Sequence, residues 1–127
     1  MSVSLRLLAC ASLLAMTAPA FAQAPAMTTK TDKGEALTDH AGMALYTFAK
    51  DSDGKSACVD QCAVNWPPLK ADADAAPTGD WTLIDRADGS KQWAYKGKPL
   101  YAFVKDKKPG EAVGDGLMNG AWKIAQP

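Results

Sequence analysis

Two cysteines and one histidine are the residues of this sequence whose chemistry is most distinctive. Cys58 and Cys62 form a C-x-x-x-C pair, and His40 is the single histidine of the chain. In an exported chain, two cysteines four positions apart first predict one local disulfide. The alternatives are a copper(I) site formed by the two thiols and His40, or a pair that exchanges disulfides. We expect no cofactor, with copper as the alternative.

The remaining polar residues show no catalytic pattern, so we expect a protein that is not an enzyme. The sequence has no H-E-x-x-H motif and no defensible order of serine, histidine and aspartate. The acidic segment that starts at Asp51 lacks the glycine and the glutamate of a calcium-binding EF-hand loop. Asp51 and Asp106 occupy matching positions after similar runs, and each is predicted to cap a turn through its side chain.

The N-terminal residues have the features of a secretory signal peptide. Arg6 precedes an apolar stretch over Leu7–Met16, and an A-x-A site ends at Ala22. This order predicts a signal peptide over residues 1–22, cleaved near Ala22, and a periplasmic or secreted protein. The apolar stretch is shorter than the roughly 20 residues that cross a bilayer. Because the stretch continues past Cys10, lipoprotein anchoring at Cys10 is not expected.

The length of the mature chain, residues 23–127, limits it to one small domain, and its charge limits the classes of partner. The full chain has 14 basic and 14 acidic residues, so loss of Arg6 leaves one acidic residue in excess. No basic stripe indicates nucleic-acid binding, and no transmembrane segment is expected in the mature form. The densest basic cluster, at residues 105–108, is predicted to be a solvated turn.

A repeat organises the mature chain. LYTFAKD at residues 45–51 returns as LYAFVKD at residues 100–106, an offset of 55, and Trp66 returns as Trp122 at an offset of 56. The chain therefore contains two tandem units, about residues 27–70 and 81–125. Repeated units that cannot each bury an apolar face usually pack on one another.

Short strand-like runs separated by turn signals predict a three-stranded antiparallel meander in each unit. The predicted strands are Met27–Thr29, Glu35–Thr38 and Leu45–Phe48 in the first unit, and Trp81–Ile84, Lys91–Tyr95 and Leu100–Val104 in the second. Residues 56–63 are predicted to form one or two helical turns, residues 70–77 an exposed connector, residues 110–120 a glycine-rich loop and residues 121–124 a final strand. The predicted fold is all-β: two meanders packed through their aromatic side chains, with one short helical turn pinned by the disulfide.

The repeated motif resembles that of a known family. Tyr46, Phe48 and Asp51, and again Tyr101, Phe103 and Asp106, follow the pattern Y-x-[FWY]-x-x-D. This pattern is similar to the motif of exported bacterial proteins called the lipoprotein repeat or secreted repeat of unknown function. The C-x-x-x-C segment followed by W-P-P-L also fits. The resemblance implies an exported protein to which no enzymatic activity is firmly attached.

The function expected from these features is a non-catalytic binding or interaction module of the cell envelope. Its partner would be an envelope protein or a small ligand, and nucleic acid is not expected. Two alternatives stay open. The protein could handle copper or another metal through Cys58, Cys62 and His40, or it could be a redox or haem-associated accessory protein.

Overall fold

A computed structural model describes residues 24–127 of the chain. The predicted signal peptide and Cys10 lie outside the described residues. Strands dominate the described part, and a disulfide joins Cys58 to Cys62 beside a short helix. The predicted all-β class and the disulfide-pinned helical turn are confirmed.

Eight short strands and two short helices make up the described part of the chain. They are β1 (Met27–Thr31), β2 (Gly34–Thr38), β3 (Tyr46–Phe48), α1 (Gln61–Asn65), β4 (Lys70–Ala71), β5 (Trp81–Asp85), β6 (Lys91–Tyr95), β7 (Lys98–Pro99), α2 (Leu117–Gly120) and β8 (Trp122–Ile124).

Each unit begins with an antiparallel hairpin, as the turn signals predict. In the first unit β1 pairs with β2, from Met27 opposite Thr38 to Thr31 opposite Gly34. In the second unit β5 pairs with β6 along five residue pairs, and β7 pairs with the end of β6. The turn between β5 and β6 closes through Gly89, whose φ of 86° suits glycine.

The third strand of the first unit pairs with the other unit, which differs from the predicted meander. β3 lies antiparallel to β8, with Tyr46 opposite Ile124 and Phe48 opposite Trp122. The first hairpin meets this segment through a bridge between Thr38 and Ala44, where the Leu45 N–H donates to the Leu37 carbonyl at 3.0 Å. Each unit therefore receives its closing segment from the other, because neither unit can cover its own aromatic face.

The corresponding run in the second unit forms a bridge and not the full strand predicted over Leu100–Val104. Tyr101 bridges both Tyr46 and Pro68. Pro67 and Pro68 lie opposite this run. In the other half of the molecule, Lys123 and Ile124 take the corresponding positions opposite β3. Proline has no N–H to donate, so the ladder is reduced to bonds such as Ala102 N–H to the Pro67 carbonyl, 2.8 Å.

Three other local features differ from the predictions. The helix α1 begins at Gln61 and not in the predicted segment from Ser56, because Asp60 has a left-handed φ of 53° that a helix cannot continue through. The start of the predicted connector forms β4, which pairs with β6. In the predicted glycine-rich loop, α2 is a turn in which Met118 and Asn119 have left-handed backbone angles.

The core is a stack of four aromatic rings that joins the two units. Trp66 and Trp122 stack face to face with ring centroids 3.8 Å apart and planes 1° apart. Phe48 stacks on Trp122 at 4.2 Å, and Phe103 stacks on Trp66 at 4.0 Å. All four side chains are buried. Because the two tryptophans come from different units, the centre of the core is itself the contact between the repeats.

Candidate functional site

The motif tyrosines and aspartates are exchanged between the two units. The Tyr46 hydroxyl donates to Asp106 Oδ2 at 2.6 Å, and the Tyr101 hydroxyl donates to Asp51 Oδ2 at 2.7 Å. The backbones of the two tyrosines also exchange N–H···O bonds of 2.8 and 3.0 Å. The repeated motif therefore locks one unit to the other and does not build a separate site within each unit.

The second oxygen of each motif carboxylate holds a loop. Asp51 Oδ1 accepts the Ala57 N–H at 2.6 Å, and Asp106 Oδ1 accepts the Val113 N–H at 2.8 Å. Both carboxylates thus have a hydroxyl donor and a backbone donor. Charge-assisted bonds of this kind are about twice as strong as neutral ones.

Burial and the neighbouring carboxylates set the protonation of this network. Desolvation, reinforced by the hydrogen bond to Asp106, raises the pKa of Tyr46 far above its usual value. Desolvation also raises the pKa of Tyr101, and its bond to Asp51 acts in the same direction. Burial raises the pKa of Asp51, against the opposing effects of the Ala57 N–H, the Tyr101 hydroxyl and Arg86. Both tyrosines are therefore neutral hydrogen-bond donors around pH 7.

One of the two exchanged pairs extends into a longer polar network. Ser56 Oγ lies 2.6 Å from the Tyr101 hydroxyl, and Arg86 Nη1 donates to Ser56 Oγ at 3.0 Å. Because the Tyr101 proton goes to Asp51, the Ser56 hydroxyl donates to the Tyr101 oxygen. Two hydroxyls thus connect a guanidinium to a carboxylate.

Arg86 also fixes the surroundings of this network. Its Nη1 donates to Gln92 Oε1 at 2.8 Å and its Nη2 donates to the Cys58 carbonyl at 2.9 Å. The fully buried Gln92 in turn donates to the Leu100 carbonyl at 2.8 Å. In the other half, alanines occupy the positions that correspond to Ser56 and Gln92, at an offset of 56. The polar extension is therefore the main asymmetry between the two halves.

The three residues of the alternative metal site are each engaged in other contacts. The Cys58 and Cys62 sulfurs form a bond of 2.04 Å. His40 follows β2, and its Nε2 lies 2.7 Å from the Ala24 carbonyl oxygen. Over residues 24–127 there is no cluster of three or more histidine, cysteine, aspartate or glutamate side chains that could hold a metal ion.

Two adjoining concavities form a candidate binding surface among the described residues. Their volumes are about 550 and 470 Å³, and both are lined by Thr47, Lys96, Lys98 and Lys123. The smaller one also contains Lys33. We call these two concavities the lysine groove. The four lysines are exposed at its walls.

Turns and strand ends place these lysines around the groove. Lys96 and Gly97 form the tight turn between β6 and β7 with φ values of 50° and 82°, which directs Lys96 and Lys98 to the same rim. Lys123 is the outward residue of β8, between buried Trp122 and Ile124. Lys33 lies in the turn between β1 and β2.

Sequence reasoning identified the exchanged residues but neither the polar extension nor the groove. Arg86 and Gln92 belong to no motif, although a glutamine on the buried face of a predicted strand is a recognisable signal. The groove lysines are spread over some 90 positions of the chain, whereas the linear cluster at residues 105–108 contributes nothing to the groove.

Fold and site together define a small all-β module whose two repeat units complete each other. The model of the family described as a secreted repeat of unknown function matches residues 27–70 and 82–126, and the chain belongs to this family. The resemblance inferred from the motif is confirmed. No curated protein and no solved structure matches the chain. In the part that the structure describes, no helix is long and apolar enough to cross a membrane.

Proposed function

We propose that the protein is a non-catalytic binding module of the cell envelope and that the lysine groove is its binding surface. The observation that supports this proposal is the groove itself, two concavities with four lining residues in common on a frame held by the exchanged pairs. A preformed concavity with a few polar groups is the usual form of a small-ligand site.

The state of the acidic and phenolic side chains supports a non-catalytic role. Asp51 and Asp106 each bind a different tyrosine and a different loop, so they do not act on one reacting centre. Tyr46 and Tyr101 have raised pKa values, which makes them poor general acids or bases at neutral pH. The chemistry of these groups is therefore used to hold the fold.

The proposed location is the periplasm or the outside of the cell, after cleavage near Ala22. The secreted family supports export, and a disulfide is the usual state of a cysteine pair in an oxidising compartment. In this setting an envelope protein or a small ligand would be the partner.

Chemical-shift mapping tests whether the groove is the binding surface. The mature chain from residue 23, labelled with ¹⁵N, is titrated separately with acetate, guanidinium, isopropanol and phenol at equal ionic strength. We expect at least one probe to shift the amides of Thr47, Gly97 and Lys123 more than any others. Shifts that collect instead around His40, or that spread evenly over the surface, would refute the assignment.

A further inference from the structure

We propose that the lysine groove binds a small polyanion that carries two or more phosphate or carboxylate groups. This inference rests on the proposed function and specifies its ligand class. Four lysine side chains from three separate parts of the chain line one concavity of about 470 Å³. That volume suits a ligand of metabolite size.

Positive charge is concentrated in the groove, although the net charge of the mature chain is slightly negative. The mature chain has one acidic residue in excess, yet the smaller concavity contains Lys33, Lys96, Lys98 and Lys123 with Asp115 as its one carboxylate. Asp115 Oδ1 already accepts the Ile124 N–H at 2.9 Å. Like charges around a concave surface focus the potential and attract an ion of opposite sign.

These lysines also lack carboxylate partners. Among residues 24–127, the one salt bridge joins Lys91 to Asp85 at 3.8 Å, outside the groove. Four lysine ammonium groups that share a concavity without pairing repel one another, and a multivalent anion would relieve that repulsion. Lysine is a common phosphate-binding residue that acts as a point charge.

The two concavities differ in charge, which gives the ligand an expected orientation. The larger one contains Asp51 and Asp53 beside the shared lysines, and the largely buried Phe48 and Pro99 contribute to its lining. The anionic groups would therefore lie in the smaller concavity near Lys33. An uncharged organic part would extend past Thr47 toward Phe48.

Calorimetry with defined anions tests the proposal. Tripolyphosphate and citrate are titrated into the mature protein at low salt, with the monovalent anion acetate as a reference. We expect both polyanions to bind with submillimolar Kd and acetate to bind far more weakly. We also expect the Kd to rise several-fold between 20 and 150 mM salt, because screening weakens charge pairing.

Two variants with the same change of charge locate the site. Lys96→Gln/Lys98→Gln/Lys123→Gln removes three groove charges, and Lys105→Gln/Lys107→Gln/Lys108→Gln removes three charges from the linear cluster. We expect a loss of affinity of about tenfold or more in the first variant and of less than twofold in the second. All six side chains are exposed, so both variants should melt like the parent protein.

The possible results separate this inference from the proposed function. Equal losses in the two variants, or no binding of either polyanion, would overturn the inference. Binding to phosphatidylglycerol vesicles without binding of the free polyanions would also overturn it, because the groove would then face a lipid surface. If guanidinium or phenol maps to the groove while the polyanions do not bind, the binding surface stands and the anionic ligand class is wrong.

Discussion

Replacing each exchanged tyrosine by phenylalanine should destabilise the protein by unequal amounts. Tyr46→Phe leaves the buried carboxylate of Asp106, 6% exposed, without its hydroxyl donor, and it also removes the acceptor of the Gly114 N–H. A hydrogen bond to a charged group contributes about 1.5–3 kcal/mol. We therefore expect a loss of about 3 kcal/mol in the free energy of unfolding.

Tyr101→Phe should cost less, although it removes two hydrogen bonds. Its carboxylate partner is only partly buried and keeps the Ala57 N–H, while Ser56 keeps its bond from Arg86. Water can reach such a carboxylate and replace part of the lost bond, so we expect a loss of about 1.5 kcal/mol.

Urea unfolding followed by tryptophan fluorescence measures both losses. Tyr95→Phe is the matched control, because the Tyr95 hydroxyl makes no hydrogen bond within the described residues, and its effect should stay within about 0.5 kcal/mol. A larger loss for Tyr101→Phe than for Tyr46→Phe would refute the reasoning from burial. Losses no larger than that of the control would show that the exchanged pairs do not hold the units together.

Three further predictions concern pH, redox state and packing. Both exchanged tyrosines have a raised pKa in the folded state. Their contribution to the free energy of unfolding is therefore complete below the unfolded pKa of about 10 and is lost as the pH rises further. The urea concentration at the unfolding midpoint should therefore decrease as the pH rises above 10, and it should decrease less steeply in Tyr46→Phe. A midpoint that does not change with pH above 10 would contradict this. The non-reduced mature protein should show no free thiols and no bound copper, and reduction should cost about 2 kcal/mol; two thiols with about one copper per chain would favour the metal-handling alternative. Gly114→Ala should cost about 1–3 kcal/mol because a Cβ there would lie 2.6 Å from the Trp66 ring, whereas the exposed Val113→Ala should be nearly neutral in the same melts.

The repeat made the all-β class and the two hairpins predictable from the sequence. These features depend on local turn residues and on alternation along short runs, both of which lie within about ten positions. The same reasoning missed the exchange of closing segments, because β3 could satisfy its backbone with either β2 or β8. Packing of Trp66 against Trp122 favours β8. The only sign of this packing in the sequence is that a tryptophan recurs at an offset of 56.

The candidate site was less predictable than the fold. The motif residues Tyr46 and Asp51 were recognisable, but their pairing across units is set by three-dimensional symmetry. The groove depends on Lys33, Lys96 and Lys123, which are remote in sequence and carry no motif. The densest linear cluster of basic residues, 105–108, lies outside the groove, since proximity along the chain does not report proximity in space.

The exchange of closing segments also bears on when the chain can fold. The first unit acquires the Trp122 ring and the β8 ladder from the last few residues of the sequence. Its core therefore stays incomplete until β8 has been synthesised, since contacts of such long sequence separation form late. A chain interrupted before Trp122 would lack both the ladder opposite β3 and the centre of the aromatic stack.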